Sequence, residues 1–275
     1  MKKRKKIGMI CLEIFLWLLT AVVFIPYLLA LVTSIKSTGE AGLFQLTWPS
    51  KVLIIENYKM VFEKGRILQG MFNSITITSI SLVLILFVTS LFSFYVTRVK
   101  TKISSFLYYF LVMGTALPIT LATTYTLLKN ISLLNKKTGV ILIFISIMVP
   151  YITSIYTSYV RSVPVEMDEA AIIDGCGPYG MFFKVIFPLL KPANFTCAIL
   201  TFMAVWNDSQ IVLFFLNNSD DWTMPLNAYR FYSYWRADWN YIMGSVVLTT
   251  LPVFIIYLFG QRYIVEGMVS GAVKG

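Results

Sequence analysis

Histidine is absent from this 275-residue chain, and only 13% of its residues are charged, about half the roughly 25% of a soluble domain. The first absence removes imidazole general bases, Ser-His-Asp and Cys-His constellations and the usual His-containing zinc sites. No glycine is followed at the required distance by Gly-Lys-Ser or Gly-Lys-Thr, so there is no Walker A loop to cradle ATP phosphates. Any nucleotide energy would have to come from another chain. Cysteine is sparse, and Cys11, Cys176 and Cys197 show no Cys-x-x-Cys spacing; they read as core-filling thiols rather than a disulfide. Internal repeats are not detectable, and low-complexity sequence is confined to the basic N-terminus.

What is present is apolar: 57% of the residues, with a mean hydropathy of +0.75. The charges are not spread out. Residues 71–97, 103–128, 138–160 and 240–261 contain no Asp, Glu, Lys or Arg, and each reaches the ~20 residues that a hydrocarbon core about 30 Å thick demands. Two further runs carry one acid each, 7–35 with Glu13 and 193–219 with Asp208. The expectation is an all-α integral membrane protein with six transmembrane helices and no separate soluble domain. A metal cluster or a convergent nucleophile and base is not evident.

The formal charge of +10 has to be read loop by loop rather than as a nucleic-acid signature. Lys2, Lys3, Arg4, Lys5 and Lys6 precede the first span and place the N-terminus in the cytoplasm. Six spans then return the C-terminus to the same side. On that topology 13 of the 23 basic residues lie inside, so the N-terminal cluster decides the orientation. The apolar run at 7–35 is about twice the length of a signal-peptide core, which favours an uncleaved first helix. The outer loop 36–70 includes a helix-prone stretch from Ile54 to Arg66 with Tyr58 and Phe62 on neighbouring turns, suited to the membrane surface. The basic turn from Arg98 to Lys102 is short enough to make spans 2 and 3 antiparallel neighbours. Pro26, Pro118, Pro150 and Pro252 fall inside spans, where proline commonly kinks the helix.

The segment from Ser162 to Pro178 reads as a short inner helix with clear punctuation. Ser162 or Val163 would cap it, Pro164 suits its first turn, and Glu166, Asp168 and Glu169 meet the positive end of the helix dipole. Gly175 and Gly177-Pro178 end it. Glu166, Glu169 and Ala170 share a face by i, i+3, i+4 spacing, and Ile172 and Ile173 supply apolar surface. Two readings stand on composition: a docking helix for another protein, or an amphipathic loop helix on the bilayer.

The run Glu169-Ala170-Ala171, three residues, Gly175, nine residues, Val185, one residue, Phe187-Pro188 resembles the EAA signature of the permease subunits of ATP-binding-cassette importers. Val185 and Phe187 stand where that pattern usually has Ile and Leu; Asp174 and Pro192 fit its extension. Asn73-Ser74, Trp206-Asn207-Asp208, Pro252 and the closing run Gly267 to Gly275 are similar to the carbohydrate-importing, maltose-type permeases with six helices. Ser93-Phe94-Tyr95 replaces the Ala-Ala-Tyr common there, a departure that bears on packing. The likeness runs from about residue 70 to the C-terminus.

The resemblance implies a type I importer permease fold in the bacterial cytoplasmic membrane. Residues 1–70 would form the first helix and an extracytoplasmic loop, 71–265 the five-helix core with its coupling loop at 161–192, and 266–275 a cytoplasmic tail. It implies that Glu169, Ala170, Ala171, Asp174, Gly175 and Pro188 couple to a cytoplasmic ATPase, and that Gly271, Lys274 and Gly275 reach into the ATPase dimer. Implied partners are a paralogous permease chain, two ATPase subunits holding ATP and Mg, an extracytoplasmic solute-binding protein and a sugar or oligosaccharide; this chain itself would bind no cofactor and no nucleic acid. Glycerol-phosphate-type and polyol substrates share these motifs.

Trp206, Asn207 and Asp208 are the candidate substrate pathway. An acid at the centre of a membrane helix costs about 2.5–3.5 kcal/mol on insertion scales, so Asp208 needs either a structural hydrogen-bond network or contact with water or sugar hydroxyls. Both stay open, as do packing and pyranose stacking for Trp206. Glu13 reads as a partner of the basic N-terminus. A proton-coupled carrier using Asp208 or Glu13 is the rival from another class, disfavoured by the absence of paired intramembrane acids and of repeats.

Overall fold

The computed structural model describes residues 2–233 and 237–272, with side chains from 9–233 and 237–261. Four helices are long and apolar enough to cross a membrane, Met9–Ser34, Ile67–Arg98, Lys137–Ser162 and Trp239–Gln261, and two bent helix pairs raise the number to as many as six. In chain order the main helices are α1 (Lys2–Ser34), α2 (Ile54–Lys64), α3 (Ile67–Arg98), α4 (Lys102–Met113), α5 (Leu121–Asn130), α6 (Lys137–Ser162) and α7 (Glu166–Ile173). There follow α8 (Pro178–Leu189), α9 (Lys191–Trp206), α10 (Gln210–Phe215), α11 (Met224–Asn227) and α12 (Trp239–Ala272).

The chain forms two compact units. One comprises residues 1–68 with 224–251. From residue 9 to residue 28 its α1 presents apolar side chains outward, Trp17 and Val22 among them, as a helix solvated by lipid does. The carbonyls that α1 leaves unpaired at its C-terminal end are taken up by Asn57 of α2, whose Nδ2 donates to the oxygens of Ser34 (2.9 Å) and Lys36 (2.8 Å). Asn240 Nδ2 donates to Asn57 Oδ1 (3.2 Å) and Asn227 Nδ2 to the Arg66 carbonyl (3.4 Å), which is why 224–251 groups with the N-terminal helix rather than with the rest of the expected 71–265 core. The buried Lys36 ammonium gathers the following loop by donating to Gln45 O (2.6 Å) and Thr47 Oγ1 (3.3 Å). Hydrogen bonds from Ser50 hold the Glu40 carboxyl below its ordinary pKa. Helix α2 forms over the helix-prone stretch expected from Ile54 to Arg66, ending at Lys64.

The other unit comprises 69–223 with 252–275. Its core joins Ile85 of α3, Met148, Ile152, Tyr156 and Val160 of α6, Ile186 of α8, and Ala193 and Cys197 of α9. Ser93 lies fully buried, donating to Thr153 O and accepting from Thr157 Oγ1, both at 3.2 Å. The departure at Ser93 is therefore accommodated as helix packing. Two expected spans are not continuous helices. Residues 103–128 divide into Lys102–Ala116 and Leu121–Asn130, bent by 118°, because Pro118 forces Leu117 into extended backbone (ψ 117). Residues 193–219 divide at 207–209 into α9 and α10. Proline acts differently elsewhere: Pro26, Pro150 and Pro252 lie inside unbroken helices.

Candidate functional site

Helix α7 begins at Glu166, later than the sequence suggested, and no side chain caps it. The Ser162 hydroxyl donates instead to Tyr159 O (2.7 Å), within the last turn of α6. What fixes α7 is an ion pair. Asp168, 7% exposed, receives the Arg98 guanidinium in a two-point contact, Nε to Oδ2 at 2.5 Å and Nη2 to Oδ1 at 3.3 Å. The same Nη2 donates to the Val163 carbonyl at 3.0 Å. Arg98, the last residue of α3, thus holds both the entry to α7 and its inner face. Arginine suits this role because its planar fork matches a carboxylate while leaving donors for a carbonyl.

Ala171, one turn beyond Asp168, is also turned inward, at 4% exposure. The resemblance assigns both alanines to coupling, but i, i+3 spacing places Ala171 on the face that Asp168 buries and leaves only Ala170 exposed. The exposed residues of α7 are Glu166, Met167, Glu169, Ala170, Ile172 and Ile173, with Ile173 at 85% exposure. Tyr179, at the start of α8, stands equally free at 80%.

The helix stops by a Schellman arrangement. Cys176 N donates to Ala171 O and Gly175 N to Ile172 O, both at 2.9 Å, and Gly175 takes φ +78, a conformation glycine adopts without steric cost. Asp174, exposed, is the C-cap residue. The apolar end of the signature serves packing: Val185 lies against the core, and the Phe187 ring meets Phe182 at 5.7 Å, which in turn meets Phe94 of α3 at 5.4 Å.

Between α8 and α9 the chain turns by 77°. Pro192 has no N–H to offer the Pro188 carbonyl four residues back, and in a continuous helix its ring would clash with that oxygen. Asn194 compensates nearby, its Nδ2 donating to Phe187 O (3.2 Å) while Oδ1 accepts from Tyr156 OH (2.8 Å). A π turn at Met181–Ile186 precedes the bend.

The three polar-break residues are separated by environment. Trp206 is buried, 2% exposed, its ring stacked on Phe202 at 5.2 Å. Asn207 is exposed and Asp208 half-buried. Asp208 Oδ1 accepts from Ile211 N at 2.8 Å, so the acid supplies an acceptor to the free N–H groups that open α10. Of the tail residues, Gly271 lies within α12, whereas Lys274 and Gly275 fall outside the described residues.

At the opposite ends of α3 and α6 lies a second polar group that the sequence reading touched only at Asn73. Lys137 Nζ donates to Asn73 Oδ1 (2.7 Å) and pairs with Asp221 (3.4 Å). Asn73 Nδ2 donates to the carbonyls of Asp220 (2.8 Å) and Trp222 (2.9 Å). Arg98, Lys137 and Asp221 were not singled out from sequence. A charge at the last or first residue of a long apolar run, with an opposite charge in another loop, is the signal that would have found them.

Residues 79–268 match the family described as binding-protein-dependent transport system inner membrane component. The chain is 34% identical over 265 residues to the ORF2 protein of Caldicellulosiruptor sp. (strain Rt8B.4), named as an ABC transporter permease, covering 95% of this chain and 96% of that protein. It is 28% identical over 257 residues to the melibiose/raffinose/stachyose import permease protein MelC of Bacillus subtilis, 92% of each chain. It is 28% identical over 281 residues to the multiple sugar-binding transport system permease protein MsmG of Streptococcus mutans, the full length of both. The fold is similar to a chain in the crystal structure of a bacterial ABC transporter involved in import of the acidic polysaccharide alginate, with a TM-score of 0.80, 18% identity and coverage of 94% and 96% of the two chains.

Proposed function

The chain belongs to the binding-protein-dependent transport system inner membrane components, and on that premise we propose that it is the non-catalytic permease subunit of an ATP-driven importer of a sugar or oligosaccharide. The sugar class is supported by relatives whose names specify melibiose, raffinose and stachyose import or multiple sugars. The chain pairs with a related permease to form the translocation pore in the cytoplasmic membrane, termini inside. Two cytoplasmic ATPases drive it, and an extracytoplasmic binding protein delivers the substrate.

The observation that carries this reading is α7. Eight residues long, it is clamped on one face by Arg98 and leaves Glu166, Met167, Glu169, Ala170, Ile172 and Ile173 exposed. An exposed apolar surface fringed by acids on a rigidly held helix is suited to insertion into a cleft of a partner rather than to lying on an anionic bilayer. Closure of the ATPase pair moves α7, and the Arg98–Asp168 pair passes that displacement to α3. Of the polar triplet, Asn207 is the residue we assign to substrate contact: it is exposed at the break between α9 and α10, whereas Trp206 is packed and Asp208 opens α10. The reading is tested by ATP hydrolysis of the reconstituted complex with sugar-loaded binding protein, comparing Glu169→Lys with the unmodified chain. Stimulation that the charge reversal abolishes supports coupling through α7. A complex that forms without any ATPase sinks the importer assignment.

A further inference from the structure

A second site lies beside α7 and shares only Arg98 with the clamp described above. The end of α3, the start of α4 and the end of α6 enclose a groove of about 1060 Å³ lined by Thr97, Arg98, Lys100, Lys102, Ser105 and Arg161. No acid is among its lining residues. Arg98 is already neutralised by Asp168, which leaves Lys100, Lys102 and Arg161 as net positive charge. Their setting is built rather than frayed. Thr101 and Ser104 close a reciprocal capping box, Ser104 N to Thr101 Oγ1 at 3.1 Å and Thr101 N to Ser104 Oγ at 3.2 Å, which fixes the turn between the two lysines. Arg161 is held over the Tyr108 ring, 5.5 Å from its centroid.

Two of its lining residues, Lys102 and Ser105, begin an apolar track on α4. Lys102, Ser105, Phe106, Tyr109 and Met113 fall on one stripe of α4 by i, i+3, i+4, i+7, i+11 spacing. Phe106, Tyr109 and Met113 are 66%, 61% and 67% exposed. From Lys102 to Met113 the stripe runs roughly 16 Å, about half the thickness of a bilayer core. A basic pocket at a helix end that continues into one leaflet's length of exposed hydrocarbon matches an amphiphile with an anionic head.

We propose that this groove binds an anionic phospholipid, the phosphate seated among Lys100, Lys102, Arg161 and the Ser105 hydroxyl and an acyl chain lying along Phe106, Tyr109 and Met113. Basic pockets between membrane helices recognise anionic headgroups by charge, and long cationic side chains reach the headgroup level by snorkelling. Free phosphate would find the charges but gain nothing from the stripe.

The test is native mass spectrometry of the complex purified through a tag on this chain, titrated with phosphatidylglycerol or phosphatidylcholine. The expected result is retention of phosphatidylglycerol at least tenfold more tightly than phosphatidylcholine, with the preference lost in Lys100→Gln/Lys102→Gln/Arg161→Gln. Should that variant not be recovered, Lys100→Gln/Lys102→Gln alters only two exposed side chains and should weaken retention at least threefold. Unchanged phosphatidylglycerol retention in either variant overturns the proposal. So does displacement of the lipid by millimolar inorganic phosphate, which would make this a free-anion site, or loss of a partner subunit with the lipid still retained, which would make it a protein-docking surface.

Discussion

Arg98 and Asp168 are 15% and 10% exposed at the side chain, and a charge buried that far is tolerated only while its partner is present. Arg98→Gln or Asp168→Asn leaves the other charge desolvated, at a cost of about 3–5 kcal/mol when the pair is fully buried and correspondingly less here. Each single variant is expected to lower the thermal stability of the purified complex and the hydrolysis stimulated by the loaded binding protein. Arg98→Asp with Asp168→Arg should recover part of both, and a double-mutant cycle with no recovery would show that the two residues act independently. Gly175 separates two costs usually merged. A Cβ there meets nothing within 4 Å, and φ is +78, so Gly175→Ala carries only the left-handed backbone penalty of roughly 1–2 kcal/mol. Asparagine, which tolerates that conformation, should restore activity toward the native level. Equal damage from both, measured as sugar uptake, would mean that the position contacts a partner.

Among the elements, the long apolar helices were legible because a charge-free run of twenty or more residues has few alternatives in lipid. The breaks were less so. Pro26, Pro150 and Pro252 each remove one backbone hydrogen bond inside an otherwise regular helix, which continues past them. Pro188 and Pro192, four apart, would remove a donor and crowd the acceptor at one turn of a continuous helix, and Pro118 follows Gly114 and a short tight turn. Composition counts prolines; their spacing decides which of them bend the chain. Pro192→Ala returns the missing N–H and should reduce the 77° turn between α8 and α9. Spin labels on the exposed Phe183 and Phe195 would report it as a changed separation in the assembled complex, and an unaltered distance would place the cause of the bend in Asn194 instead. The exposed face of α7 was legible at Glu169 and Ala170 from spacing, whereas the inward turn of Ala171 depended on Arg98, a residue more than sixty positions away whose contact no local pattern encodes.

For the molecule as a whole, the question is what energises transport. Helix α3 alone separates Asn73 from Arg98 by roughly 37 Å, so the Lys137 network and the α7 clamp occupy opposite ends of α3 and α6. A proton-coupled carrier would instead need an acid that changes charge during the cycle. Asp208, half-buried at the break between α9 and α10, is the acid placed nearest to that role, and its Oδ1 is committed to Ile211 N at 2.8 Å. Asn keeps that acceptor and removes the charge. Asp208→Asn is therefore expected to retain sugar uptake to within about fivefold, the worth of weakening one charge-assisted hydrogen bond by about 1 kcal/mol. Uptake in intact cells should stop when ATP is depleted and persist when the proton gradient is collapsed with ATP maintained. If instead Asp208→Asn abolishes uptake and collapse of the gradient does the same, the acid is carrying protons and energy does not enter through α7.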